Sequence, residues 1–284
     1  MKKQSNFIPS SPQIAPLRDL NLTSRFLFDE VMDDMQAHED ALGIILGRNV
    51  SLLGQIQTEK EIRISPQLRS VRLDAYSMDT EKKVYDAEME SRKKKDLIKK
   101  SRYYMSMLDI GLLGTGIEDY SILKEVCLIM IGPFDLFGHQ KCVYTFTAKC
   151  DEVPGCELGD EATRIFLNTR GLNRDEISKE LGAFLDYIED TTEETASRSR
   201  SERIMRIHRR VCEVKGNEEM GLKYLRMLEE KADARAEGRE EGREEGREEM
   251  KVAIARSMIG KIEENVIAET TGLTLEEIVR LRKG

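Results

Sequence analysis

The chain has 284 residues, 39% of them hydrophobic and 35% charged, enough to bury one substantial core. Its 45 Lys and Arg stand against 53 Asp and Glu, a net charge of −8, which argues against a protein wrapped over its whole surface by nucleic acid. The longest apolar run, Val126 to Ile131, is far too short to span a bilayer, and the five cysteines form no CxxC pair.

The first residues run into a Pro- and Ser-containing stretch with no long apolar core, so no signal peptide is expected. Reduced thiols in a cytoplasm suit an odd number of cysteines better than a disulfide framework does. Pro9, Pro12 and Pro16 deny residues 1–20 regular structure, and these read as a loose arm. Phe26, Leu27, Val31, Met32 and Met35 recur at helical spacing over Thr23–Met35, with Thr23 or Ser24 as cap. A second helix is expected over Ala41–Gly54.

The period then changes to two. Val71–Met78 and Val84–Glu90 alternate as half-buried strands do, with the polar residues Asp79–Lys82 between them, and together they read as a β-hairpin. Arg92–Ile110 reads as a helix buried through Leu97, Ile98, Met105 and Leu108. Glu125–Ile131 and Lys141–Ala148 read as strands, Ile165–Leu167 as a short one, and Arg174–Glu189 as the helix that closes an α/β domain.

Beyond Asp190 the chain turns polar. Residues 191–230 read as a helical connector, followed over 231–250 by a charged spacer built on a Glu-Gly-Arg-Glu repeat. Each Glu–Arg pair on a helix contributes about 0.2–0.5 kcal/mol, while each glycine costs up to about 1 kcal/mol against alanine. The result is a marginal, solvated rod. Residues 251–284 regain helical periodicity as two short helices about Gly272, a helix-turn-helix-like module. Glu276 and Glu277 on its second helix would repel phosphate, which favours protein contacts over DNA reading.

Chemistry concentrates on the hairpin. Asp86, Glu88 and Glu90 share one face by alternation, and a loop at Thr80–Lys82 places Asp74 opposite Glu88. Like charges directly opposite are destabilising. A hard divalent cation would offset that cost, taking carboxylate oxygens and lowering the pKa of a bound water; the alternative is a solvated sheet face. Residues 92–102 then carry seven basic residues against one acid, Asp96, a net of +6 directly after the carboxylates. Acids that hold a metal beside bases that hold phosphates are the combination nucleic-acid cleavage requires. Residues 229–249, with ten acids and five bases, supply −5 of the overall charge, so the acidic balance says little about the α/β region.

Other constellations carry less. His139, Cys142, Cys150 and Cys156 have no usual zinc spacing. His38 and His208 have no nucleophile or base partner in the sequence, and no GxxxxGK[ST] run is present, so no nucleotide cofactor is expected.

Several segments in order carry a family resemblance. They are Ser24-Arg-Phe-Leu-Phe-Asp-Glu-Val31, Leu73-Asp-Ala-Tyr76, Tyr85-Asp-Ala-Glu-Met-Glu90, Arg102-Tyr-Tyr104, Phe134-Asp-Leu-Phe137, Cys150-Asp-Glu152, Ile165-Phe-Leu-Asn-Thr-Arg-Gly171, Glu180–Ile188 and the Glu-Gly-Arg repeats. Through most of residues 20–190 and into the tail, the chain resembles the Rpn-like recombination-promoting nucleases, PD-(D/E)XK nuclease family transposases of bacteria. The resemblance implies an α/β restriction-endonuclease-like PD-(D/E)XK core over residues 21–190, a central mixed sheet flanked by helices, with a mostly α-helical C-terminal extension. It implies metal-dependent DNA endonuclease activity, with Mg²⁺, Mn²⁺ or Ca²⁺ held by Asp74 and Glu88. Glu90 stands where the superfamily has lysine and this family often glutamine. It serves as an extra metal ligand, with Lys94 or Lys95 reaching back to supply the missing charge, or it leaves a catalytically impaired module that binds DNA or protein. On the first reading Arg92, Lys93, Lys99, Lys100 and Arg102 anchor backbone phosphates. A homo-oligomer through the C-terminal helices, no membrane association and a cytoplasmic location complete the expectation.

Overall fold

The structure, a computed structural model, describes residues 15–54, 56–62, 71–112 and 118–283. Residues 1–14 of the expected arm lie outside the described set. Just after them Leu17–Asp19 forms a 3₁₀ turn and buries Leu17.

Six strands make one mixed sheet: β1 (Gln57–Ile62), β2 (Val71–Met78), β3 (Val84–Met89), β4 (Val126–Gly132), β5 (Val143–Phe146) and β6 (Ala162–Asn168). Their spatial order is β1-β2-β3-β4-β6-β5. The hairpin forms in the register its loop length implies, with Ala75 opposite Ala87, Tyr76 opposite Asp86 and Met78 opposite Val84. Asp79 pins the turn. Its Oδ1 accepts from Glu81 N and Lys83 N at 2.9 Å each, and its Oδ2 accepts from the Tyr85 hydroxyl at 2.8 Å.

β3, β4 and β6 run parallel, which explains why Val126–Ile131 is continuously apolar: a parallel strand in the middle of a sheet is covered on both faces. Alternation sorts its side chains. Cys127, Ile129 and Ile131 join a large core with Tyr85, Ala87 and Met89, while Val126, Leu128 and Met130 join a second core with Val84. Helix α3 (Leu97–Leu112) supplies Leu97, Met105, Met107 and Leu108 to that second core. Glu88 and Asp86 alternate with Met89 and Ala87, and so face the α3 side of the sheet. β6 is longer than Ile165–Leu167 because its first residues, Ala162 to Arg164, are only half buried and carry little apolar signal.

Helices α1 (Arg25–Met32) and α2 (Met35–Leu46) begin the opposite layer. The expected helices over 23–35 and 41–54 are shifted because Asp34 caps α2, accepting from Ala37 N at 2.8 Å, and Gly47 ends it in the left-handed region. Strand β1 has no counterpart in the sequence reading, since Gln57–Ile62 is mostly polar.

The helix expected over 174–189 is a 3₁₀ turn, Arg174–Glu176, followed by α4 (Lys179–Glu189) with Ser178 as its cap. Residues 191–216, read as connector, belong to the main core instead. They form α5 (Glu193–Ser199) and α6 (Glu202–Gly216), whose Ile204, Ile207, Val211 and Val214 are fully buried. These few apolar residues recur every three or four positions, so one narrow stripe suffices to bury a helix that is otherwise charged. Arg206 fastens α6 to α2 through a bidentate pair with Asp40, at 2.6 and 2.7 Å.

His38 of α2 is completely buried. Its Nδ1 donates to the Met32 carbonyl and its Nε2 lies against the Ser77 hydroxyl, both at 3.2 Å. Burial lowers its pKa to about 4. Unfolded chains protonate this histidine below its ordinary pKa of about 6.5, and the folded chain does so only near 4. Its contribution is therefore intact above that ordinary value and is lost as pH falls through the window. Comparing urea denaturation of the wild type with His38→Gln should show their stability difference change by about 3 kcal/mol across it. A pH-independent difference would contradict this assignment.

The compact α/β unit ends at Gly221, and Leu222–Gly284 forms a second unit. Helix α7 (Glu218–Met258) contains the Glu-Gly-Arg repeat, exposed throughout. Helices α8 (Glu264–Thr271) and α9 (Leu275–Lys283) flank a left-handed Gly272, as the sequence predicts. Ala255, Ile267, Leu273 and Ile278 make this unit's own small core. Glu277 is engaged in a capping box: its Oε2 accepts from Thr274 N at 2.8 Å, and its backbone N donates to Thr274 Oγ1 at 3.3 Å. Among the described residues no helix is long and apolar enough to cross a membrane.

Candidate functional site

Where the β2–β3 ladder passes Ala75 and Ala87, side chains take over from the backbone. Asp74 N donates to Glu88 Oε1 at 2.9 Å, and Met89 N donates to Asp74 Oδ2 at 3.1 Å. The two carboxylates expected to face one another thus cross-brace their strands. Asp74, Asp86 and Glu88 have no exposed surface and Glu90 is 9% exposed. Buried carboxylates need counter-charges, and most of those present come from helices.

Arg25, the first residue of α1, pairs with Asp74 through its guanidinium, and its Nε lies 3.5 Å from Asp29 one turn on. Lys100 of α3 places Nζ 2.9 Å from Glu88 Oε2 and also bonds Glu90 Oε1. The Tyr104 ring centre is 4.5 Å from that ammonium, a cation–π contact from the same helix face. Lys60 of β1 lies 3.4 Å from the centre of the Tyr76 ring.

The electrostatics follow from this crowding. Burial, then Glu88 and Asp29, push the Asp74 carboxyl well above the usual carboxylate range, against the pull of Arg25 and Lys100. Asp86 is pushed up in the same direction by burial, Glu88 and Asp74. Burial works against the charges of Arg25 and Lys100, but the surrounding carboxylates outweigh it and raise both. Tyr104 is pushed up to about 12, by burial and then Glu88. Burial lowers Lys60, with Asp86 opposing.

The basic run divides. Arg92, Lys93, Lys94 and Lys95 precede the start of α3 and are exposed, as are Lys99 and Arg102 on its outer face. Lys93 Nζ donates to the Asp135 carbonyl at 2.5 Å. The lysine that reaches the carboxylates is therefore Lys100, read from the sequence as a phosphate anchor, while Lys94 and Lys95 sit in solvent. Glu90, read as a metal ligand, bonds Lys100. Arg25, Asp29 and Tyr104 join the site without having been singled out for it, and Asp86, which alternation placed on the face of Glu88 and Glu90, lies beside them. The available signal was spacing: Arg25/Asp29 and Lys100/Tyr104 are each i,i+4 pairs, polar positions next to an apolar stripe.

A hard divalent cation suits this donor set, which is all carboxylate oxygen and includes an Asp86 whose two oxygens have no hydrogen-bond partner among the described residues. In the arrangement seen, Asp74, Glu88 and Glu90 turn toward Arg25 and Lys100, and among the described residues no three His, Cys, Asp or Glu side chains are grouped to hold a metal. Elsewhere, all five cysteines are free, and the structure adds one partner the sequence did not reveal: His208 Nε2 lies 3.5 Å from Cys212 Sγ, with Nδ1 2.8 Å from the Tyr187 hydroxyl. Burial lowers the His208 pKa, so this ring does not supply the imidazolium that would activate a thiol. Compared with protein-family models, with curated proteins and with solved structures, the chain finds no match.

Proposed function

We propose that this chain is a metal-dependent DNA endonuclease with a PD-(D/E)XK-type core, of the recombination-promoting nuclease and transposase kind that its motifs resemble. The observation that carries the reading is the position of Lys100, bonded to both Glu88 and Glu90. An ammonium reached from α3 occupies the neighbourhood where the resemblance calls for a lysine at position 90, and Glu90 holds it there.

Asp74 and Glu88 would hold the cation, which when bound polarises the scissile phosphate and supplies hydroxide near neutral pH. Lys100 steadies the charge that develops on the phosphate, positioned in advance by its carboxylates and by Tyr104. Arg25 fixes Asp74 in orientation. Arg92, Lys93, Lys94, Lys95, Lys99 and Arg102 present exposed positive charge beside the site, suited to backbone phosphates without reading sequence. A cytoplasmic bacterial setting and self-association through the C-terminal helices belong to the same proposal.

A second reading is a DNA- or protein-binding module that has lost catalysis. It is favoured by one observation, the engagement of Asp74, Glu88 and Glu90 with Arg25 and Lys100. Calorimetric titration with Mg²⁺ and Mn²⁺ separates the two. The endonuclease reading predicts saturable binding that weakens as pH falls, because protons compete for the same oxygens. No heat of binding from a folded sample would leave the module as the account.

A further inference from the structure

A group of aromatic rings lies on the same face of the sheet as the carboxylates and has no role in the arrangement described so far. Glu88 stands beside Met130, Met130 beside Phe166 and Phe166 beside Tyr144, so one row of side chains crosses four strands, about 14 Å from end to end at the usual strand spacing. Phe146, two residues beyond Tyr144 on the edge strand β5, is 38% exposed. The Phe137 ring centre lies 4.7 Å from that of Tyr144 and 4.8 Å from that of Phe146, and Phe166 meets Phe146 edge-on at 5.7 Å. Asp135 fixes the loop that carries Phe137. Its Oδ1 accepts from Phe137 N at 2.9 Å and from the Tyr144 hydroxyl at 2.8 Å, and its Oδ2 accepts from Gln140 N at 2.6 Å.

Phe137, Tyr144 and Phe166 also wall a cleft together with Glu90, Leu97 and Phe134. Glu90 and Leu97 bracket the exposed Arg92, Lys93, Lys94 and Lys95, so the segment carrying that charge leaves the protein and re-enters it at this cleft. Lys93 ties the segment to the aromatic loop by donating to the Asp135 carbonyl at 2.5 Å. An exposed ring face beside clustered positive charge suits a strand that presents phosphates and unstacked bases together. A duplex keeps its bases stacked on one another and offers the phosphates alone. We propose that Phe146, with Phe137 and Tyr144 at its side, stacks an unpaired base of single-stranded DNA whose backbone follows residues 92–95. This deepens the endonuclease reading by naming its substrate class, single-stranded or locally opened DNA, and it rests on that reading for DNA being the ligand.

The test is fluorescence anisotropy in chelator, with the full-length chain added to a labelled oligothymidylate or to a duplex of the same length, for wild type and Phe146→Ala. The wild type should bind the single strand more tightly than the duplex. Phe146→Ala should weaken single-strand binding by about 5- to 100-fold, the range that stacking one base supplies, and so remove most of that lead. Equal affinity of wild type and Phe146→Ala for the single strand, or no single-strand binding by the wild type, would overturn the inference. The chain contains no tryptophan, so Phe146→Trp keeps an aromatic face and sets a single fluorophore among the rings. Its emission should be quenched by the oligothymidylate, and unquenched emission at saturating oligonucleotide would overturn the stacking even where Phe146→Ala does not fold. Chelator keeps cleavage out of the readout. Single-strand binding without metal-dependent plasmid nicking would therefore leave this inference standing while the endonuclease reading fails, and nicking with unchanged Phe146→Ala affinity would do the reverse.

Discussion

Asp74→Ala is expected to lower the rate of plasmid cleavage by on the order of a thousandfold, the scale of losing one preorganised group that stabilises transition-state charge. The side chain is fully buried, accepts from Met89 N and pairs with Arg25, so no other residue can move into its place without dismantling the end of the hairpin. The fold should survive the substitution although the hairpin loses one of its braces. Removing Asp74 deprives Arg25 of one partner but leaves Asp29 3.5 Å from its Nε, and it relieves the repulsion between Asp74 and Glu88. A native circular dichroism spectrum with a lowered urea midpoint, because Met89 N loses its acceptor and Arg25 one partner, beside a collapse in nicking, are the expected results. An unchanged cleavage rate would refute the role given to Asp74.

Lys100→Ala should damage both stability and activity. Its ammonium is the shared counter-charge of Glu88 and Glu90, and taking away one partner of a buried ion pair leaves the other charge stranded, at a cost of about 3 kcal/mol or more. Urea denaturation at neutral pH reads this directly. Two controls separate charge from packing. Adding Glu90→Gln to Lys100→Ala should recover part of the stability, because one of the stranded carboxylates is gone, without recovering cleavage. Glu90→Lys, which places there the residue that the resemblance calls for, should not raise cleavage, since it sets a second ammonium where Lys100 already lies. A Lys100→Ala protein as stable and as active as wild type would show that the ammonium is incidental.

The parts of this molecule legible in the sequence are those where one rule dominates. The β2–β3 register followed from loop length, because a strand pair leaves no freedom once its turn is set and Asp79 holds that turn. The Gly272 turn and the exposed charged rod were read on similar grounds. What escaped was decided by partners distant in sequence. Strand β1 is polar along Gln57–Ile62 and exists because β2 offers it an edge, with Thr58 opposite Ala75 and Lys60 opposite Leu73. Helix α6 was read as weakly apolar because the four buried aliphatic side chains Ile204, Ile207, Val211 and Val214 make a faint signal among its polar residues until α1 and α2 are present to cover them.

The site divides the same way. Asp74 and Glu88 could be paired on paper, but the choice among Lys94, Lys95 and Lys100 depended on where α3 begins. The basic residues after Ser91 invite a helix from Arg92, whereas the helix starts at Leu97, the first residue of that run able to bury itself. That five-residue difference leaves Lys94 and Lys95 in solvent and brings Lys100 inward. Arg25 and Asp29 were visible as an i,i+4 pair on α1, but nothing local says that this pair points at a hairpin fifty residues away.

The most direct test of the central claim, that this buried carboxylate cluster is a cation-dependent hydrolytic site, is supercoiled-plasmid nicking by the purified full-length chain with Mg²⁺ or Mn²⁺ and with chelator. The account predicts conversion of supercoiled to open-circular DNA that requires the cation and stops when chelator is added. Intact plasmid after incubation with folded protein and either metal, or nicking that persists in chelator, would contradict it.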